Sequence, residues 1–438
     1  MRQAAARRRC HQLRIHPAGT GQLLTVTALV PDGALLGTVM QERMVQPLFQ
    51  PLVDLDRDVT VGYEALVRGP VGPLHTPAAL FRAARRSGQL VELDWLCRER
   101  AVEVARDTRL RHPLSLFINA EPETLLASGQ DAQRWSRFGD LRCYAELTER
   151  ALAARPAALL RAVDQVRDQD WGIAMDDVGA DPASLALLPI VRPDVIKLDL
   201  HLLHAAAADS AADTAVARTL HAALAQAAQT GAVVVAEGIE TPAQLDLALA
   251  YGAHYGQGYL LGRPGPLPSE LVSPPAAVPL LPRQVNRVAP PSPFAVVTSA
   301  TTSRPATRSS VVTVARQLLA QTVTLDLDAI VLVCVDDPAL LNPALTGLLT
   351  ELPSHSLVAV LGAAAALSQL PEVRTQAVAG DDPAQHDFDV VVLGAHFAAA
   401  LVSRPALPGR SDGLRDSVLT FDRDLVSAAA SALLRRLP

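Results

Sequence analysis

The stretch Gly172–Leu200, GIAMDDVGADPASLALLPIVRPDVIKLDL, holds two short apolar runs, each ending on charged residues, joined by an Ala- and Leu-rich segment. Gly172–Asp177 and Val195–Leu200 have the length and composition of strands buried on both faces, as in a parallel sheet. The same unit recurs outward in both directions, as Leu114–Ala120 and Arg142–Thr148 upstream and Ala232–Ile239 downstream. Helical stretches separate these runs. One is well punctuated: Thr241 can cap it, Pro242 takes its first position and Gly252 ends it. This alternation from about residue 41 to 268 predicts a (β/α) barrel or a doubly wound sheet.

With 438 residues, 49% of them hydrophobic, the chain has room for two domains and a large core without disulfides. Residues 269–310 break the rhythm with many prolines and then the Thr/Ser/Arg-rich run Thr298–Ser310, which predicts a linker. A second α/β alternation follows over 311–438, with strands at Ala329–Val335, Leu357–Leu361 and Phe388–Leu393 and a terminal amphipathic helix at Asp422–Leu437. Residues 1–40 read as a flexible leader. Its basic cluster, Arg7, Arg8, Arg9 and Arg14, fits a disordered start or a misplaced start codon better than a nucleic-acid tail. A net charge of −6 implies no general affinity for polyanions. Cys10, Cys97, Cys143 and Cys334 are isolated, which points to reduced thiols in a cytoplasmic protein rather than to zinc or disulfides. No membrane span or signal peptide is expected.

Acids and amides fall at the ends of the predicted barrel strands. Glu64 closes Val59–Tyr63, Asn119 ends its run, Glu146 lies in Cys143–Thr148, and Asp176 and Asp177 end Gly172–Met175. Lys197 and Asp199 lie in Val195–Leu200, Glu237 ends Ala232–Ala236, and Gln257 follows the last helix. In a parallel barrel these side chains meet on one rim. Converging carboxylates repel unless cations neutralise them, and oxygen-only donors favour Mg²⁺ or Mn²⁺ over zinc. Two such ions suit attack of water on a phosphodiester. Any one of these acids is equally well a solvated loop residue or a helix cap; the set at strand ends is not.

Residues 63–69, YEALVRG, resemble the signature of the EAL-domain phosphodiesterases. Seven further tags follow that family's pattern: FQPLVDL (Phe49–Leu55), INA (Ile118–Ala120), ELTE (Glu146–Glu149), DDVGA (Asp176–Ala180), IKLD (Ile196–Asp199), AEGIE (Ala236–Glu240) and GQGYLLGRP (Gly256–Pro264). The resemblance covers about residues 41–268. It implies an α/β fold, a modified TIM-like (β/α) barrel, and a bacterial second-messenger hydrolase that opens cyclic di-GMP to linear pGpG. The metal ligands it implies are Glu64, Asn119, Glu146 and Asp176, with Asp176 bridging two ions, Mg²⁺ or Mn²⁺. Asp177 serves the second ion, with Glu237 nearby. Lys197 holds or activates the attacking water and, with Glu64 and Glu237, makes up the catalytic set. Arg68 grips a substrate phosphate, Leu66, Gln257 and Glu240 complete the substrate side, and Glu149 anchors the loop after the Asp pair. The resemblance also implies a homodimer through the barrel.

The loop after the Asp pair departs from the family. The usual form is DDFG-[TA]-GYSSL; here it is DDVGADPASL (Asp176–Leu185), with Asp181, Pro182 and Ala183 in place of Gly, Tyr and Ser. Glycine accepts positive φ and proline fixes φ, so this loop has a different shape. That leaves open an alternative: a weak or inactive EAL domain serving as a cyclic di-GMP receptor or a protein-docking module. The cyclase tag GGDEF is absent, and His201 and His204 form an HxxH pair with no further ligand at helical spacing. Asp336–Asp337 imitates the metal-binding pair, but Pro338 makes Asp337 a helix cap. The runs VLVCVDDPALL (Val331–Leu341), FDVVVLGAHFAAAL (Phe388–Leu401) and FDRDLVSAAASALL (Phe421–Leu434) resemble the DICT sensory domain, which implies an input module with an unknown ligand or partner.

Overall fold

The computed structural model describes residues 32–437 apart from 122–123, 126–138, 140, 149–154, 179–184, 186, 201–209, 282–291, 326–328, 354–355, 364–369, 371–372 and 407–412. Glu149, the altered loop at 179–184, and His201 and His204 therefore lie outside the described residues, as do the basic cluster and Cys10. No helix among the described residues is long and apolar enough to cross a membrane.

The first half is a closed eight-stranded barrel in the order β1 to β8. Its strands are β1 (Gln46–Asp54), β2 (Val59–Arg68), β3 (Ser115–Asn119), β4 (Arg142–Thr148), β5 (Gly172–Asp176), β6 (Val195–Asp199), β7 (Val233–Glu237) and β8 (Tyr255–Gly256). The helices outside it are α1 (Asp32–Gln41), α2 (Pro77–Ser87), α3 (Leu90–Asp107), α4 (Pro156–Asp168), α5 (Leu188–Val191), α6 (Ser210–Thr230) and α7 (Pro242–Ala250). Strand β1 differs from a uniformly parallel barrel, because it runs antiparallel to both neighbours, β2 and β8. The cause is local. Asp54 Oδ1 accepts from the N–H groups of Asp56 and Arg57, and Asp58 sits at φ 51°, so the chain doubles back at once as a hairpin. The hairpin partner also carries β2 well past Glu64, to Arg68 opposite Gln46. Strands β3 to β7 are buried on both faces, as their near-continuous apolar composition requires. The cap expected at α7 forms as a full capping box: Thr241 Oγ1 accepts from Gln244 N–H, and the Gln244 side chain returns to the Thr241 N–H.

The segment 269–310, expected to be a linker, is structured along much of its length. Val278 is wholly buried and packs with Leu52, Val61, Phe117, Tyr144, Val195 and Val235 inside the barrel. The Tyr144 hydroxyl donates to the Val278 carbonyl at 2.7 Å. Further on, α8 (Pro293–Thr298) buries Phe294 and Val297, and β9 (Arg304–Thr307) becomes the edge of a second sheet. Proline composition suggested an extended tether. Apolar residues between the prolines, Val278 and Phe294 among them, give the segment something to bury.

The second sheet has seven strands in the order β12-β11-β10-β13-β14-β15-β9. They are β10 (Ala329–Val335), β11 (Leu357–Gly362), β12 (Arg374–Ala377), β13 (Phe388–Gly394), β14 (Ala398–Pro405) and β15 (Leu414–Thr420), with β9 as above. Strands β10, β11 and β12 are parallel and the others pair antiparallel. Helices α9 (Arg308–Thr324) and α10 (Pro343–Glu351) cover one face. The other face meets α8 and the last helix, α11 (Arg423–Leu434), and joins an apolar cluster continuous with the barrel's outer shell. Helix α11 also touches the barrel. Arg435 at its end pairs with Asp164 of α4 at 2.7 Å, and Asp424 pairs with Arg192 after α5 at 3.2 Å.

Within that second face lies a buried acidic group. Asp336 pairs with Arg415 at 2.9 Å and Asp387 with Arg404 at 2.8 Å. Asp389 is fully buried, accepts only the Ser403 N–H through Oδ1, and has no donor at Oδ2. Burial, reinforced by the charge of Asp387, holds the Asp389 carboxyl well above the usual carboxylate range. The folded chain thus binds that proton more tightly than the unfolded chain. The associated stability is present below the unfolded pKa of about 3.9 and is lost as pH rises through the folded value. Asp389→Asn removes the ionisation. We expect it to raise Tm at pH 8 relative to the parent, with the gain shrinking towards pH 4. Thermal unfolding at both pH values measures this, and a lower Tm at pH 8 would contradict it.

Candidate active site

Lys197, on β6, is 1% exposed. Its Nζ lies 2.7 Å from Glu146 Oε1, 2.7 Å from Glu237 Oε1, 3.1 Å from Asp176 Oδ1 and 3.4 Å from Glu64 Oε2. The four acids come from β4, β7, β5 and β2, so each arrives on its own strand, as expected of a barrel rim. Burial alone would lower the Lys197 pKa. The carboxylates of Asp176, Glu146, Glu237 and Glu64 outweigh it and hold the ammonium well above its ordinary range. Glu146 is pushed well above the carboxylate range by burial and by the charge of Glu64, with Lys197 opposing. Glu237 is raised in the same way by burial and by Asp176. One ammonium faces four acids, and burial together with that crowding raises the proton affinity of Glu146 and Glu237.

Two amides extend the cluster. Asn119, closing β3, turns its Nδ2 to Glu64 Oε1 at 3.1 Å and to Glu146 Oε2 at 3.2 Å. Gln257, just past β8, donates from Nε2 to Glu64 Oε2 at 2.6 Å and to Gln50 Oε1 at 3.2 Å, while Gln50 donates to the Gly262 carbonyl at 3.1 Å. The Gln257 Oε1 is buried with no donor. Gly258 lets this turn close, since a Cβ there would overlap the Ile239 backbone. Gln50 received no role from the sequence. Its signal was a polar amide in the otherwise apolar FQPLVDL strand.

A cation fits this donor set on geometric grounds. One carboxylate oxygen each from Asp176, Asp177 and Glu237 lies within 4.8 Å of the others. The donors are all oxygens, the chemistry of hard divalent cations. Asp177 sits at φ 56°, a left-handed backbone uncommon for any residue but glycine, and ends the strand direction of Asp176 there. For Asn119 to take part, its Oδ1 would have to replace the Nδ2 now facing the two acids.

Three expected residues stand apart. Arg68, at the end of β2, donates from Nη1 to the Val67 carbonyl at 2.8 Å and meets no carboxylate of the cluster. Leu66 is half-buried on β2, opposite Leu48. Glu240 does not join the Lys197 group: it is exposed, and its N–H donates to Gln244 Oε1 at 2.8 Å as part of the α7 cap.

A family model described as the EAL domain matches residues 34–264. The cyclic di-GMP phosphodiesterase PA2567 of Pseudomonas aeruginosa is 30% identical over 263 residues, covering 58% of this chain and 43% of that protein. The cyclic di-GMP phosphodiesterase PdeL of Escherichia coli is 26% identical over 242 residues, covering 53% of this chain and 65% of its own. Among solved structures, the PaMucR phosphodiesterase in complex with c-di-GMP is 26% identical, with 53% of this chain and 96% of that chain covered at a TM-score of 0.46. This chain thus spans from 43% to 65% of the length of the two curated relatives.

Proposed function

The chain belongs to the EAL domain family, and from that premise we propose that its barrel hydrolyses cyclic di-GMP to linear pGpG with two divalent cations, Mg²⁺ or Mn²⁺. The observation that carries this reading is the buried ammonium of Lys197 ringed by four carboxylates from four strands. Glu64, Asn119, Glu146 and Asp176 would hold one ion, and Asp176 and Asp177, with Glu237, the other. When bound, such ions polarise the phosphodiester and make water a stronger nucleophile.

The rest falls to the chain itself. Hydrolysis forms one P–O bond from water, breaks the P–O3′ bond, and leaves a 5′-phosphate and a 3′-hydroxyl. Glu237, its Oε1 2.7 Å from the Lys197 ammonium, would take the proton that water releases as it attacks, and that proton ends on the O3′ leaving group. The Lys197 ammonium orients that water and offsets charge building on phosphorus. Gln257 keeps Glu64 fixed through Oε2, and Asn119, once its Oδ1 faces an ion, gives up the Nδ2 contact it makes with Glu64 Oε1. Arg68 has its remaining N–H groups free to grip a phosphate, beside Leu66 on the same strand end.

The test is direct. Purified protein is incubated with cyclic di-GMP and Mg²⁺ or Mn²⁺, and the products are separated by chromatography. Release of pGpG is expected; a folded sample giving none with either metal overturns the reading. Arg68→Ala should raise KM by about tenfold and leave kcat within a few-fold, because its contact is with bound phosphate in ground and transition states alike. The departures at Asp181, Pro182 and Ala183 favour one second reading, a receptor that binds cyclic di-GMP without turnover. Metal-independent binding in calorimetry with no pGpG would select it. We assign the second unit the part of a DICT-type input module acting on the barrel.

A further inference from the structure

Asp194 lies outside the Lys197 cluster, at the foot of β6, and is 5% exposed. Its Oδ2 accepts from the Ile173 N–H of β5 at 2.7 Å, and its Oδ1 from the Leu281 N–H at 2.7 Å. Its own N–H donates to the Ile173 carbonyl at 2.8 Å, and its carbonyl accepts from the Val233 N–H of β7 at 3.0 Å. One residue thus fastens the feet of β5, β6 and β7 to each other and to the chain leaving the barrel. Those strands carry Asp176, Lys197 and Glu237.

The exit chain is itself firmly seated. A Cβ on Gly172 would overlap both the Tyr144 ring and Leu280, so glycine is what lets Leu280 close against β5. The second unit also reaches the segment before β6 from the flank. Arg192 pairs with Asp424 of α11, while Arg167 of α4 donates to the carbonyls of Val191 and Arg192 at 2.7 and 2.6 Å. At the top of β6, the Lys197 carbonyl accepts from the Val178 N–H at 3.1 Å. A shift of β6 along its axis would therefore move Lys197 and the segment after Asp177 together. Hydrogen-bonded strands in a packed barrel pass such a shift on rather than absorb it.

We propose that Asp194 is a positioning residue: it sets the height of Lys197 among the four carboxylates and makes that height depend on how the exit chain sits beneath the barrel. This rests on the site assigned above and deepens it by naming the route of control.

Two variants of the full chain test it. Asp194→Asn keeps one acceptor but sets an NH₂ group against a backbone N–H. Leu281→Pro removes the exit-chain donor and leaves Asp194 intact. For Asp194→Asn, kcat on cyclic di-GMP should fall on the order of 10- to 100-fold, with KM within about threefold. Hydrogen exchange at the Val178 amide should rise about tenfold or more. Leu281→Pro should move both readouts in the same direction. A lower Tm for Asp194→Asn with kcat and Val178 exchange unchanged would mean a structural role only and overturns the proposal. Leu281→Pro with both readouts unchanged overturns the link to the exit chain. If the parent protein yields no pGpG, the assigned activity falls, and Val178 exchange alone still decides the positioning role.

Discussion

A Glu64→Ala variant is expected to lose cyclic di-GMP hydrolysis, its kcat falling on the order of a thousandfold, while remaining folded. Glu64 is where three holds converge: Asn119 on Oε1, and Gln257 and Lys197 on Oε2. Removing it deletes an oxygen proposed to hold a cation and frees the Gln257 and Asn119 amides to turn. It also removes one of four acids crowding a single ammonium, so the fold should lose little and Tm should stay level or rise. Glu64→Gln separates the two consequences, since it keeps the side-chain shape and loses the charge. Turnover assays, Mn²⁺ calorimetry and thermal unfolding together measure the effect. A wild-type rate in Glu64→Ala would show that Glu64 is not a ligand.

The second large effect belongs to Lys197→Met. Methionine matches the volume of the stem and fills the space without charge. Four acids then face each other with no internal cation, and breaking a buried pair in this way costs about 3–5 kcal/mol. Part of that cost is relieved at low pH. Glu146 and Glu237 are already held well above the carboxylate range, so they take up protons early as pH falls. The loss of Tm should accordingly be greater at pH 8 than at pH 5 when divalent ions are chelated. Adding Mn²⁺ should restore much of the Tm without restoring activity, because the ion would replace the charge of the ammonium but not the hold on water we propose for it. Equal Tm values for parent and variant in chelator at pH 8 would refute this account of the centre.

Much of the barrel was legible because burial on both faces leaves a plain mark. Arg142–Thr148 coincides with strand β4, as Ala329–Val335 does with β10 of the second sheet, and Thr241–Pro242 begins α7 as its capping residues require. The acids were legible as a set because a parallel barrel brings the ends of distant strands together. Less visible were features set by pairing partners. The direction of β1 depends on a hairpin fixed by Asp54, and the length of β2 on the strand opposite it. Gln50 was hidden because a lone amide in an apolar strand does not show which way it faces. Glu240 carried the right motif, yet its backbone is used to cap a helix and its side chain is exposed. The proline-rich stretch misled for a different reason: backbone stiffness was plain in the composition, while the buried contacts of Val278 and Phe294 depend on surfaces made elsewhere in the chain.

The buried Val278 also bears on where the barrel half can be cut from its neighbour. The family match stops at residue 264, and the rhythm of strands and helices at about 268. A gene fragment ended at either point would leave out Val278, Leu280 and the Leu281 N–H, opening the underside of the barrel and uncovering Tyr144 and Asp194. An excised version meant to be compared fairly with the whole chain has to run through Leu281. A shorter one would confuse loss of the second unit with damage to the barrel.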